Sequence, residues 1–314
     1  MSIPQSGGGP IERHEQMAEY LAAGCKPKEN WRIGTEHEKF GYCRDTLKPL
    51  PYEGERSIRA MLEGLRDRYG WAPVLEGGLI IGLEKNGANV SLEPGGALEL
   101  SGAPLESIHQ TCDEVNSHLD EVRTIAREIG VRFIGLGAAP HWLHEDMPLM
   151  PKGRYKLMDA YMGRVGTMGR TMMRRTCTVQ VNLDFATEAD MVQKMRVAIA
   201  LQPVAAALFA NSPFFEGKVN GHKSWRSRIW RDLDADRYAL RYIATDRLVE
   251  VGAAAAGPLV HALPGGSREF VHRAIYILDR MARSSDPQAA EVAEVALRQA
   301  ATDMSGPAAS GALH

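Results

Sequence analysis

Residues 176–185 alternate without a break between polar and apolar side chains. Thr176, Thr178, Gln180, Asn182 and Asp184 fall on one side; Cys177, Val179, Val181, Leu183 and Phe185 fall on the other. A strand turns successive side chains to opposite faces, so the spacing predicts an antiparallel strand with one packed face and one polar face. The same period runs through Trp31–Tyr42, where Glu36 and Glu38 share a face with Arg32 and Phe40. It recurs in 89–101: Glu93, Ala97, Glu99 and Ser101 share one parity, and Leu92, Leu98 and Leu100 the other. Pro94, Gly95 and Gly96 interrupt that run. As a bulge or tight bend they would carry Glu93 and Glu99 towards a common centre; as a plain loop they would leave the two acids unrelated. Asn86-Gly87, just before, is a hairpin signal.

Between these strands the apolar period lengthens to that of a helix. Ile58, Met61, Leu62 and Leu65 mark a helix over 55–68. Ile108, Cys112, Val115, Leu119, Val122, Ala126 and Ile129 mark the clearest one, over 106–129, with Gly130 as its cap. Cys112 reads there as a small buried core residue. Further helices are expected at 10–23, at 157–162, and from the Thr187–Asp190 capping signal to Ala210. After Arg237 the texture changes to an Ala-rich run and two amphipathic helices, 267–283 and 286–303, which weakly resemble HEAT-type pairs. The expected class is α+β: an antiparallel sheet with helices over 10–237, then a helical appendage over 238–304. Residues 1–9 and 305–314 read as disordered.

Composition removes several function classes. Of 314 residues, 44% are hydrophobic and 24% charged, the balance of a soluble globular protein. A net charge of -2 gives no electrostatic case for nucleic acid or an anionic membrane, and no apolar run reaches the length of a span. Cys25, Cys43, Cys112 and Cys177 form no CxxC pair, so neither a zinc site nor a disulfide framework is indicated, and a reducing cytoplasm is expected. The polar, Gly-rich stretch Met1–Pro10 lacks the apolar core of a signal peptide.

The candidate chemistry lies in the paired acids. Two carboxylates on one strand face repel each other unless a cation lies between them, and Mg²⁺ prefers carboxylate and phosphate oxygens. The bland reading is a solvated acidic face. Lys152, Arg154 and Lys156 form a basic patch, suited to an anionic substrate or to a solvated loop. Trp225, Arg226, Arg228, Trp230 and Arg231 interleave aromatic and guanidinium groups, which can stack a nucleobase or pack a loop. His141, His144 and Glu145 read as a surface loop.

The segments Trp31-Arg-Ile-Gly-Thr-Glu-His-Glu-Lys-Phe-Gly, Leu92-Glu-Pro-Gly-Gly-Ala-Leu-Glu-Leu-Ser-Gly and Arg175-Thr-Cys-Thr-Val-Gln-Val-Asn-Leu-Asp-Phe resemble the plant and proteobacterial type of glutamate–cysteine ligase. Shorter matches follow in family order at Cys25-Lys-Pro-Lys, Pro151-Lys-Gly-Arg-Tyr, Ala210-Asn-Ser-Pro-Phe and Arg228-Ile-Trp. The resemblance implies a cup-shaped antiparallel sheet of the glutamine-synthetase kind. It implies ATP-dependent coupling of the glutamate γ-carboxylate to the cysteine amine through a γ-glutamyl phosphate, the first step of glutathione synthesis. Carried over by motif, Glu36, Glu38, Glu93 and Glu99 would hold Mg²⁺ at the ATP phosphates. Glu38 and Arg175 would be catalytic, and Arg154, Tyr155, Gln180 and Asn182 would contact the amino-acid substrates. Arg174 stands where the family is usually apolar, and an Arg-bearing active-site segment of the family's later half has no counterpart in 238–314. An incomplete pocket is therefore expected. The rival readings are a ligase with another acceptor amine and a non-catalytic binding protein. The expected partners are small molecules, with a protein contact through the C-terminal helices.

Overall fold

The computed structural model describes residues 9–233, 278–279, 281–283 and 287–304. The expected disorder at 1–8 and 305–314, and most of the expected appendage over 238–304, lie outside the described residues. The chain divides into two compact units, Met1–Asp234 and Ala235–His314.

In the first unit, seven strands form one sheet: β1 (Ile33–Cys43), β2 (Ala72–Glu76), β3 (Leu79–Lys85), β4 (Ala88–Leu92), β5 (Leu98–Ser101), β6 (Val131–Ile134) and β7 (Val179–Leu183). Their order is β2-β3-β4-β5-β1-β6, with β7 also on β1, and every pair is antiparallel. Asn86 and Gly87 both take positive φ (52° and 82°), the two-residue turn whose twist suits the β3–β4 hairpin. The α+β class read from the sequence is observed.

Helices α1 (Glu15–Ala22), α2 (Ile58–Tyr69) and α3 (Ile108–Ile129) precede α4 (Gly153–Met162), α5 (Gly169–Arg175), α6 (Glu188–Leu208) and α7 (Trp225–Trp230). A separate hairpin pairs β8 (Phe214–Phe215) with β9 (Lys218–Val219). The Ser57 hydroxyl accepts from the Ala60 amide to start α2, and a Ser107–Gln110 capping box starts α3. Gly70 and Gly130, both left-handed, end them. In the second unit α8 (Pro287–Met304) is described, with Ala293 buried, and so are the buried Leu278 and Met281.

The main core lies behind β3, β4 and β5. Val90, Leu92, Leu98 and Leu100 meet Ile58, Met61, Leu62 and Leu65 of α2 and Val122, Ile125 and Ala126 of α3. Each buried aliphatic side chain contributes about 1.5–3 kcal/mol. The buried stripe of α3 runs through Thr111, His118, Val122, Ile125 and Ala126, rotated from the one expected. The helix packs on α2 as well as on the sheet, with Ile125 filling the space above Gly64. Ile108 is left 70% exposed, and Cys112 is exposed instead of buried. Cys177 is buried, as expected.

Two further expectations change. The third strand begins at Val179, because the chain before it bonds elsewhere: the Ala139 amide donates to the Arg175 carbonyl, and the Cys177 amide to the Gly137 carbonyl. Val179, Val181 and Leu183 were expected on a packed face, yet they are 65%, 61% and 59% exposed in the order Val179, Leu183, Val181. No residue of α6 is buried either, so among the described residues this end of the sheet has no apolar cover.

Candidate active site

The register of four strands builds one acidic face. Across β1 and β5, Glu38 stands opposite Glu99 and Glu36 opposite Ser101. Across β1 and β7, Glu36 stands opposite Gln180 and Gly34 opposite Asn182. Across β4 and β5, Ser91 stands opposite Glu99. Antiparallel partners point to the same side, so all these residues line one face. Glu93 follows β4, where its amide donates to the Ala97 carbonyl (2.9 Å) and its carbonyl accepts from the Gly96 amide (2.8 Å). That turn brings Glu93 into hydrogen-bond contact with Glu99. The turn needs a glycine at 95, because a Cβ there would strike the Arg174 carbonyl.

Hydrogen bonds fix the individual carboxylates. Glu36 accepts from the amides of Gln180 (2.8 Å) and Asn182 (3.1 Å). Glu38 accepts from the Thr178 backbone amide at 3.0 Å. Glu99, 2% exposed, accepts from the Ser101 hydroxyl at 2.6 Å and from Ser91 at 3.5 Å. Phe40, Ala97 and Cys177 sit in an apolar cluster at the same end of the face. Burial first, and then the Glu99 charge, push the Glu38 carboxyl up from 4.5 to about 7. The same two causes raise Glu93. Arg226 and Lys152 are the cations that bear on Glu38 and Glu93.

Among the described residues, no three carboxylate, imidazole or thiol groups form a ready metal cage. Mg²⁺ rarely uses one; it takes one or two carboxylates and completes its octahedron with water and substrate phosphates. Desolvated, mutually repelling acids are the donor set that such an ion suits.

The structure brings Glu36, Glu38, Glu93, Glu99, Gln180 and Asn182 together, and handles the other predicted residues differently. Tyr155 is fully buried in the main core and gives its hydroxyl to the Leu92 carbonyl, so it supports the end of β4. Arg154 is exposed and lies over the Tyr155 ring. The basic patch is the start of α4, which begins at Gly153 and not at Leu157. Its Lys152 is buried, donates to the Leu92 carbonyl at 2.9 Å and is lowered to about 8, chiefly by burial. Arg175 is buried against Glu216 (3.0 Å) and over the Phe215 ring (4.0 Å). Its Nε and Nη2 have no hydrogen-bond partner among the described residues. Asp184 is used structurally: it pairs with Lys26 at 2.9 Å and accepts from the Arg32 amide.

The sequence does not link Arg226 to the acids, since it shares no strand with them; Lys152 was expected beside them only as one cation of the basic patch, and it bears on Glu93. A depression of about 250 Å³ adjoins the acids, lined by Lys26, Arg32, Gly34, Asn182 and Asp184 among others.

The profile of glutamate–cysteine ligase family 2 (GCS2) matches residues 32–255. The chain belongs to this family. It is 58% identical over 228 residues to the chloroplastic glutamate–cysteine ligase of Arabidopsis thaliana, which is 73% of this chain and 43% of that protein. The chloroplastic enzyme of Brassica juncea is 58% identical over the same length, and ligase B of Oryza sativa subsp. japonica 56%. The chain thus spans less than half the length of these members of the family. All three relatives are chloroplastic by name, which overturns the cytoplasmic location expected from the unpaired cysteines. Free thiols report a reducing compartment and not which one.

Proposed function

We propose that this chain carries the metal- and phosphate-facing acids of an ATP- and Mg²⁺-dependent glutamate–cysteine ligase. The observation that carries the reading is the acidic knot itself, with Glu38 opposite Glu99 and Glu93 bonded to Glu99. Glu36, Glu38, Glu93 and Glu99 would hold Mg²⁺, which when bound neutralises phosphate charge and aligns an in-line transfer. The glutamate γ-carboxylate attacks the terminal phosphorus of ATP, and ADP leaves. The cysteine amine then attacks the acyl carbon, and phosphate leaves. Neither step needs a side-chain nucleophile.

The chain's own groups support binding of both amino acids. Glu36 accepts from the amide nitrogens of Gln180 and Asn182, so their carbonyl oxygens remain as acceptors suited to a substrate ammonium. Nε and Nη2 of Arg175, without a partner among the described residues, suit a phosphate oxygen.

A second reading is favoured by the bare β7 face: the site binds nucleotide and glutamate without completing the peptide bond. An acyl phosphate in an open site hydrolyses, so uncoupled ADP release would result. ADP and γ-glutamylcysteine measured together, with cysteine and with other amines, separate the readings. Equal amounts of both products with cysteine support ligation. ADP without peptide supports the second reading. Turnover that persists after Mg²⁺ is chelated would remove the acids from the mechanism.

A further inference from the structure

Two neighbouring elements of the first unit are open to solvent where such elements are normally covered. β7 pairs with β1 along one edge, and among the described residues no strand lies along the other. Native sheets guard a free edge with charge, proline or a bulge. Val179–Leu183 has none of these: its side chains are three aliphatics and two neutral amides, in unbroken register with β1. Its apolar face is open as well, since Val179, Val181 and Leu183 are each more than half exposed. α6 repeats the pattern. Val197, Leu201, Val204 and Leu208 recur at i, i+4, i+7 and i+11, the stripe of a helix that packs on another element, and each is more than half exposed. A helix takes most of its stability from packing, yet none of the 21 residues of α6 is buried.

Both elements lie inside the region that the chain shares with its family, because the GCS2 profile runs over residues 32–255. The Arabidopsis, Brassica and rice ligases are matched over only 43%, 44% and 45% of their lengths, so each holds more residues outside the match than inside it. Those residues are the family's own material for covering the two bare faces.

We propose that β7 and the α6 stripe form a docking surface for a second polypeptide, one that carries the later part of a glutamate–cysteine ligase. It adds a strand to the free edge of β7 through main-chain hydrogen bonds and lays apolar side chains over Val181 and Leu201. Gln180 stands opposite Glu36, so the added strand also widens the face that carries the acids. The inference rests on membership of the family and not on metal binding or turnover.

The test co-expresses the whole chain with the tagged part of the Arabidopsis thaliana ligase that follows its 228 matched residues. A one-to-one complex is expected by native mass spectrometry. In hydrogen–deuterium exchange the β7 amides should exchange at least about tenfold more slowly in the complex than in the chain alone. Val181→Lys and Leu201→Glu should each weaken the complex about tenfold or more, because each places a charge in an apolar contact. Both positions are exposed, so the chain itself stays folded. Ile108→Lys, at an exposed apolar residue of α3, should leave the complex unchanged. If the ligase part is insoluble as a separate chain, it is joined to the C-terminus of the whole chain by a flexible linker, and the same exchange is read at β7. No complex in soluble mixtures, unchanged β7 exchange, equal weakening by Ile108→Lys, or a homodimer of the whole chain closed through β7 would overturn the proposal.

Discussion

Glu38 and Glu99 are direct cross-strand partners, with both carboxylates on one face of the β1–β5 ladder. Like charges in that relation destabilise a sheet, and here the pair is also desolvated, with Glu93 bonded to Glu99. A fold that keeps such a knot gives up stability there.

The pH dependence of stability follows from this pair. The Glu38 carboxyl is raised from 4.5 to about 7, so the folded chain holds that proton more tightly than the unfolded chain. The associated stabilisation is complete below the unfolded value and is lost as pH rises through about 7. Glu38→Gln removes that slope, and the variant should gain roughly 1–3 kcal/mol on the native protein between acidic and mildly alkaline pH. Urea unfolding at several pH values measures the difference. Parallel stability profiles for the two proteins would show that Glu38 is not strained.

The Glu93 turn depends on a missing side chain. In Gly95→Ala the new methyl meets the Arg174 carbonyl, and the 93–97 turn has to move. A loss of about 1–3 kcal/mol is expected. Any rise in melting temperature that Mg²⁺ produces in the native chain should shrink with it. A variant as stable as the native chain, with the same response to Mg²⁺, would refute the steric argument.

Thiol reactivity should rank by surroundings. Hydrogen bonds from the Thr46 side chain, then from the Thr46 and Asp45 amides, and then from Arg56 lower the Cys43 thiol to about 6. Burial pushes Cys177 well above its ordinary value. Alkylation at neutral pH followed by mass spectrometry should modify Cys43 first and leave Cys177 intact until the chain unfolds. Modification of Cys177 at the Cys43 rate in the folded protein is the outcome that contradicts this.

Two residues on apolar strand faces should respond in opposite ways to substitution. Leu100, 1% exposed under α2 and α3, should cost about 2–5 kcal/mol as Leu100→Ala. Val181, 59% exposed, should change stability by less than about 0.5 kcal/mol as Val181→Lys. A large loss at Val181 in denaturant unfolding would mean that its face is covered in solution.

Parity made much of the acidic face legible in advance. Side chains alternate along any strand, so Glu36 with Glu38, and Glu99 with Ser101, share a face whatever surrounds them. The capping signal at Thr187, the Gly130 cap and the Asn86-Gly87 turn were readable for the same reason, because each acts within a few residues. The buried stripe of α3 was less legible. Its periodicity was visible, but α2 and the sheet together chose which edge of it to cover.

The amino-acid sequence by itself determined the class of the fold, the acid-bearing strands and the family, because alternation, caps and motifs are local. The tertiary structure alone decided that Glu38 meets Glu99, since strand register depends on how separate segments pair. It gave the Tyr155 hydroxyl to Leu92 and Arg175 to Glu216, partners 63 and 41 residues away. It also left Val179, Val181 and Leu183 exposed, because an apolar face is buried only where another element lies over it.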